Sequence, residues 1–368
     1  MIPVYRPYIN KYTHSAEKQM REGWISNLGM YLNLSSDLMC KIFEVRHCIL
    51  MNTGTAATEC LLKALIFKYP NIQYLYIPNE VFIAPWSMAY KYFGAKKLLP
   101  LKINYLTMNM ETSENYLMGL KEGSAIFCVH NLGYIVNIPR IQRMRPDLIF
   151  IEDNCEGLFG KYEGRYSGTS AHTLASACSF YGNKTITTGE GGAFFTNDQN
   201  VYDHIKKFHS HGMSEERYIH DIPGQNFRMT NIQAALLYEQ LLDFEHILSL
   251  KRKIMVNYES LMSLVNNEVQ ILSSEDGTEK SNWMMPIRVL KGDYDSLEKF
   301  MCQSQIEIRP FFYNISVHSF LDGVDEKSSR SNPPKNSYGV MLPSYPELSF
   351  AEQQYIIITL KNYLDGCS

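Results

Sequence analysis

One lysine stands in a stretch that leaves it little company but backbone. Residues 179–192 read SFYGNKTITTGEGG, and after Lys184 no acid follows until Glu190. A surface lysine ordinarily keeps polar, mobile neighbours. A lysine set among Gly, Ser and Thr and followed by a glycine-rich turn is instead placed to react. An amine held deprotonated forms a Schiff base with a carbonyl carbon, and once displaced it can carry a proton. Ser179, at the start of the same stretch, adds a hydroxyl that can bind an anion.

Two further stretches supply complementary chemistry. NTGTAAT (52–58) follows an apolar run and opens a helical pattern. Small residues there let backbone N–H groups close around an anion, and the helix dipole favours negative charge. Taken alone, the stretch serves equally as an ordinary capped turn. IFIEDNCEG (149–157) ends an apolar run with Glu152 and Asp153. Strand alternation sends these carboxylates to opposite sides, one toward a ligand cleft and one into the scaffold. A buried carboxylate is costly without a partner, and a protonated ring nitrogen would serve as one. A phosphate cradle, an acid for a pyridinium nitrogen and a Schiff-base lysine, in that order between 52 and 184, are the parts of a pyridoxal-phosphate (PLP) enzyme. The cofactor ring is the electron sink, and the acid keeps its nitrogen protonated.

The elements that must position these residues alternate along the chain. Apolar runs at 47–51, 73–77, 97–101, 125–129, 148–153 and 193–197 read as buried strands. Helical spacing appears at 55–68, 84–93 and 199–208. This order predicts an α/β fold, a mostly parallel central sheet with helices on both faces. Ligands in such sheets gather beyond the carboxyl ends of the strands, here just after residues 51, 77, 129 and 153. A long helical pattern from about 231 to about 264 follows, and then the character changes. SNWMMPIRVL (281–290), a helix near 294–305, IEIRPFF (306–312) and a final helix with Ser349 and Glu352 at capping-box spacing predict a smaller C-terminal α+β domain. The expected division is a large domain over 1–250 and a small one over 251–368. Polar 322–337 reads as a surface loop.

Bulk properties exclude several classes. The 368 residues are 45% hydrophobic with a net charge of −3, and no run of Lys or Arg favours nucleic acid or an anionic membrane. No apolar stretch approaches the roughly 18 residues of a membrane span. Eight scattered cysteines without CxxC pairs, and an N-terminus without a secretory pattern, suggest a reduced, cytoplasmic protein. Cys48, Cys128 and Cys178 read as core fillers. HSHG (209–212) lacks Cys or carboxylate at ligand spacing and is set aside as a metal site. Neither a P-loop nor a convincing GxGxxG follows a strand, which argues against ATP and against a nicotinamide dehydrogenase.

Over nearly its whole length the chain resembles the DegT/DnrJ/StrS family of PLP-dependent sugar aminotransferases. The likeness lies in SFYGNKTITTGEGG and in IPVYRP near the start, GWIS (23–26), NFRMTN (226–231), IRPFFY (308–313) and LPSYPELS (342–349). The resemblance implies a type I PLP-aminotransferase fold. It makes Lys184 the catalytic Schiff-base lysine, with Asp153 at the pyridine nitrogen, Phe82 stacked on the ring and Glu156 near the ring hydroxyl. Thr55, Ala56 and Ser179 become phosphate contacts. Asn226 reaches the phosphate across a homodimer interface, and Trp24 and Ser26 lie near substrate. Without the resemblance, Phe82 reads as a core filler and Trp24 equally so. Val81 stands where relatives of this type have Thr, and Ser316 replaces a histidine, with His318 two residues on. Related dehydratases carry His in place of the lysine, so Lys184 argues for transamination. The implied reaction transfers an amino group from L-glutamate to a nucleotide-linked 4-keto-6-deoxyhexose. The product is a 4-amino-4,6-dideoxyhexose, of perosamine type with GDP or viosamine type with UDP or dTDP. The alternatives are a 3-amino-sugar transaminase and a non-catalytic binding or regulatory protein on the same fold.

Overall fold

The computed structural model describes residues 1–169, 172–265, 267–325, 334 and 337–367. Most of the stretch expected as a loop, 322–337, lies outside them.

Seven strands form the central sheet: β1 (His47–Met51), β2 (Leu75–Pro78), β3 (Leu98–Leu101), β4 (Ala125–Val129), β5 (Ile149–Asp153), β6 (Ser176–Ser179) and β7 (Gly192–Thr196). Their order across the sheet is β1-β7-β6-β5-β4-β2-β3. β7 runs antiparallel to both its neighbours, and the remaining pairs are parallel. Six strands therefore end on one edge. The expected strands are present, their ends displaced by a residue or two. β6 was not anticipated, because SACS lacks the β-branched and aromatic residues that mark a strand. It is nevertheless buried at every position, since it lies between β5 and β7.

Alternation along the strands divides two apolar layers. Ile49 and Met51 of β1 and Phe194 of β7 join one layer, while Cys48, Leu50, Ala193 and Phe195 join the other. In sequence order the helices used below are α1 (His14–Glu22), α2 (Met30–Phe43), α3 (Gly54–Lys68), α4 (Ala84–Phe93), α5 (Gln199–Phe208), α6 (Asn231–Leu242), α7 (Phe244–Leu261), α8 (Tyr294–Gln303) and α9 (Phe350–Gly366). The first layer holds α3 beneath α4 and α5. α3 is buried on most sides, which explains its apolar, small-residue sequence. The second layer holds α2 and α6.

The helical pattern from 231 to 264 is not one helix. It breaks at Asp243, whose φ of −122° and ψ of 21° leave the helical region between α6 and α7. The Asp243 carboxylate accepts the Tyr12 hydroxyl at 2.8 Å. The break frees α7 to pack on a second sheet of β8 (Val269–Ile271), β9 (Met285–Val289), β10 (Arg309–Pro310) and β11 (Tyr338–Leu342), ordered β8-β9-β11-β10 and antiparallel throughout. α7, α8 and α9 share its core. The expected capping box is formed, with Ser349 and Glu352 each bonding the other's backbone N–H. Among the described residues, no helix is long and apolar enough to cross a membrane. Cys48, Cys128 and Cys178 are fully buried core residues.

Candidate active site

A cleft of roughly 540 Å³ opens where the strands end, and its walls bring together residues from distant parts of the chain. Thr53, Gly54 and Thr55 enter from the turn after β1, Phe82 from the turn after β2 and Val129 from the end of β4. Asp153 ends β5 and Glu156 follows it, and Ser179 ends β6 with Lys184 in the turn beyond. Trp283, Arg309 and Met341 close it from the small sheet.

The turn after β1 is held open by its own cap. Thr53 is the N-cap of α3, and its side chain accepts the Ala56 N–H at 3.0 Å. Ala56 is buried and its N–H is thereby engaged, while Thr55 is exposed to the cleft. Gly54 is packed against Ser179, so the start of the helix and the serine hydroxyl face the same space.

β5 separates its two carboxylates as alternation requires. Glu152 is wholly buried behind the sheet, where it accepts from His130 Nε2 at 2.7 Å. His130 Nδ1 accepts the Val136 N–H, so the proton of the neutral ring is on Nε2. Asp153 is buried on the side of α3 and lines the cleft. Its Oδ1 accepts the Cys155 N–H at 2.9 Å, and among the described residues no Lys, Arg or His lies within ion-pair distance of it. Burial pushes its carboxyl above the ordinary range.

Lys184 is nearly enclosed, with 12% of its side chain exposed. Its Nζ stands 3.7 Å from Glu156 Oε1 and 4.3 Å from the centre of the Trp283 ring. Glu156 accepts the Leu132 N–H at 2.8 Å on its other oxygen. Burial raises the Glu156 carboxyl to about 7, and the adjacent lysine limits the rise.

Phe82 is 52% exposed, so it is not the core filler its sequence alone suggested. It meets Phe312 edge to face at 5.8 Å across the cleft, while Val81 beside it is buried. The turn that carries it is tied down by Asn131 Nδ2 to the Glu80 carbonyl and by the Ile315 N–H to the Asn79 carbonyl. Ser316 and His318 do not line the cleft.

Trp24, Ser26 and Asn226 do not line the cleft of their own chain. Trp24 is 53% exposed, which overturns a core role, and Ser26 and Asn226 are exposed too. The 24–31 segment is pinned to α6 by Asn231. That side chain donates to the Trp24 carbonyl and Gln19, and accepts the Tyr31 N–H, while its own N–H binds the Ser26 carbonyl. Asn226 presents its carbonyl to Asn52 Nδ2 at 3.2 Å. Of the HSHG histidines, His209 bonds the Lys206 carbonyl and His211 lies beside Arg228.

Trp283 and Arg309 were missed as site residues. Trp283 lies in a block recognised only as a piece of the small domain, Arg309 lies in IRPFFY, where the resemblance assigned it no role, and neither carries a local spacing signal. Arg309 is paired with Glu307 at 3.0 Å and stands over the Tyr5 ring.

The cleft fits PLP on three observations. A buried Asp153 carboxylate lacks a cation, Gly54 lets the start of α3 lie against the Ser179 hydroxyl where a Cβ would stand 2.7 Å from it, and Asn183 Oδ1 is buried in the wall without a hydrogen-bond partner.

Residues 9–361 match the DegT/DnrJ/EryC1/StrS aminotransferase family. The chain is 31% identical to GDP-perosamine synthase of Escherichia coli O157:H7 over 369 residues, covering 98% of each. It is 28% identical to the Vibrio cholerae GDP-perosamine synthase, covering 99% of this chain and 100% of that one. Among solved structures, Helicobacter pylori PseC, an aminotransferase involved in the biosynthesis of pseudoaminic acid, has the same fold, with a TM-score of 0.86 at 20% identity over 98% of each chain. With the family match spanning nearly all of its length, the chain belongs to the DegT/DnrJ/EryC1/StrS aminotransferase family.

Proposed function

We propose that the protein is a PLP-dependent aminotransferase that moves an amino group from L-glutamate to a nucleotide-linked 4-keto-6-deoxyhexose, giving the 4-amino-4,6-dideoxyhexose. The observation that carries this reading is the enclosure of Lys184 Nζ in one cleft with the cation-less Asp153 carboxylate and the Gly54–Ser179 cradle. PLP, when bound, supplies the electron sink and carries the amino group between substrates.

The chain's residues divide the work. Asp153 binds the ring nitrogen and keeps its proton in place. Phe82 stacks on the ring face, and Glu156 lies at the ring hydroxyl. Thr55, Ser179 and the opening turn of α3 hold the phosphate, with Ala56 shaping that turn. Lys184 Nζ is the base that takes the proton from the α-carbon of glutamate. It later returns a proton to the sugar carbon that receives the amine. General acid–base work of this kind is worth about 10²–10⁴-fold. Arg309, held by Glu307, suits a carboxylate or a diphosphate at the outer wall. Lys184 at this position favours amine transfer over deoxygenation.

The two GDP-perosamine synthases favour a GDP-linked acceptor of the manno series. A homodimer with a shared site accounts for Trp24, Ser26 and Asn226, which face outward in one chain and would complete the cleft of a second copy.

The test is product identification. The protein is incubated with PLP, L-glutamate and a panel of GDP-, UDP- and dTDP-linked 4-keto-6-deoxyhexoses, and the sugar is analysed by mass and NMR. Amination at C4 of the GDP-linked sugar is expected. Amination only of a UDP- or dTDP-linked sugar overturns the perosamine assignment. No amine transfer, or full turnover by Lys184→Ala, overturns the mechanism.

A further inference from the structure

We propose that Trp283 is a positioning residue for Lys184, holding the lysine ammonium against its indole face and fixing the backbone before it. The proposal rests on the reading of Lys184 as the reactive amine. Trp283 lies just ahead of β9 and is 4% exposed, yet it lines the cleft. Lys184 Nζ stands 4.3 Å from the ring centre, and the indole N–H donates to the Asn183 carbonyl at 2.9 Å. One side chain therefore meets both the amine and the peptide that delivers it.

The segment carrying the indole is itself braced on both sides. The Trp283 carbonyl accepts Lys251 Nζ at 2.7 Å, and Lys251, buried on α7, also donates to the Ser344 carbonyl. Ser281 donates its N–H to the Gly133 carbonyl at 2.8 Å and its hydroxyl to the Glu156 carbonyl at 2.6 Å. Gly133, at φ +84°, has no room for a side chain: a Cβ there would stand 2.6 Å from Ser281 Oγ. Residues 281–283 thus hold Glu156 and Lys184 at a set separation from one strand end of the small sheet.

The chemical consequence follows from the ring's quadrupole. An indole face attracts an ammonium and has no comparable attraction for a neutral amine. Trp283 therefore favours the protonated lysine and keeps Nζ beside the ring until the proton leaves. The charged or titratable groups around Lys184 are Glu156, Asp153 and Cys155, with Tyr181, Glu190 and Arg309 lining the same cleft and Tyr5, Arg6, Tyr8, Lys251 and Tyr345 lining a small cavity beside Lys184 and Trp283. The carboxylates act in the same direction as the ring, so the test must change the ring alone.

The experiment is competitive labelling of lysines in the full-length apoprotein with trace acetic anhydride across a pH series, read by peptide mass spectrometry. In Trp283→Leu the labelling midpoint of Lys184 is expected to fall by about 0.4–1.5 in pH, the cation–π contribution expressed as a pKa difference. The midpoints of exposed lysines such as Lys18 should stay in place. A folded Trp283→Leu with an unchanged Lys184 midpoint overturns the proposal. If that variant fails to fold, protein made with 4,5,6,7-tetrafluorotryptophan keeps the shape and weakens the quadrupole. Trp86 does not line the cleft, and Trp24, which the homodimer reading brings to the cleft of a second copy, is replaced by Phe in that protein and in its unfluorinated control. A lowered midpoint supports the proposal, and an unmoved one overturns it. Because the readout uses no cofactor or substrate, it separates this inference from the functional reading, which fails instead if borohydride fixes no PLP to Lys184.

Discussion

A methyl group on Gly54 would stand 2.7 Å from both Cβ and Oγ of Ser179. The first residue of α3 and the last residue of β6 are therefore in direct contact, and a serine hydroxyl is held at a helix N-terminus where an anion is favoured. Gly54→Ala must push these elements apart. Overpacking of this kind costs about 1–3 kcal/mol. The expected outcome is a lowered midpoint in urea and PLP affinity reduced at least about tenfold, read by fluorescence titration. Native-like PLP affinity in a folded Gly54→Ala would show that the phosphate is held elsewhere.

Asp153 is costly to the empty fold and, on the reading proposed above, binds the cofactor in the loaded one. Burial raises its carboxyl, and among the described residues no cation stands within ion-pair distance to offset the lost water. Asp153→Asn keeps the acceptor for the Cys155 N–H and removes the charge. The apoprotein variant should melt a few degrees higher than wild type, while turnover falls by about 10²-fold or more. Calorimetry of both proteins, with and without PLP, checks this: wild type gains more from the cofactor.

Glu156 sets a pH dependence of apoprotein stability. Its carboxyl is raised from 4.5 to about 7, so the folded state binds a proton that the unfolded state releases. That contribution is complete below about 4.5 and is lost as pH rises through about 7. Glu156→Gln should abolish this fall, so the stability gap in favour of the variant widens between pH 4.5 and 7. Urea unfolding across that range measures it, and parallel curves would refute it. Lys184 faces the same carboxyl and limits its rise, so Lys184→Ala should leave the start of the fall near 4.5 and carry its end to higher pH.

Asn231 holds the outward-facing segment by three hydrogen bonds and α1 by a fourth, to Gln19, and Gly29 leaves the space its side chain occupies. Asn231→Ala leaves the Trp24 carbonyl and the Tyr31 N–H without their partner, at a cost of about 1–3 kcal/mol. Trypsin should then cut after Arg21 at least several-fold faster than in wild type, followed by mass spectrometry. An unchanged cleavage rate would mean the segment is held by other contacts.

Much of the site was legible because its parts are local. NTGTAAT, IFIED and SFYGNK each combine a strand end with the residue type that its chemistry needs, and period-two alternation assigned Asp153 and Glu152 to opposite faces. Phe82 and Trp24 were less legible from the residues themselves. An aromatic in an apolar turn looks the same whether it packs inward or lines a cleft, and only the surrounding elements exposed both. β6 escaped because SACS carries no strand signal, and its burial comes from its place between β5 and β7.

The sequence by itself determined most of the strands and helices in their order and the residue types gathered at three strand ends, Lys184 among them, because each depends on residues close together in the chain. Only the tertiary structure decided that α6 and α7 part at Asp243, that β7 runs against its neighbours, and that Trp283 lies over Lys184. Those outcomes depend on packing between segments that can lie a hundred or more residues apart, where no local pattern specifies the partner.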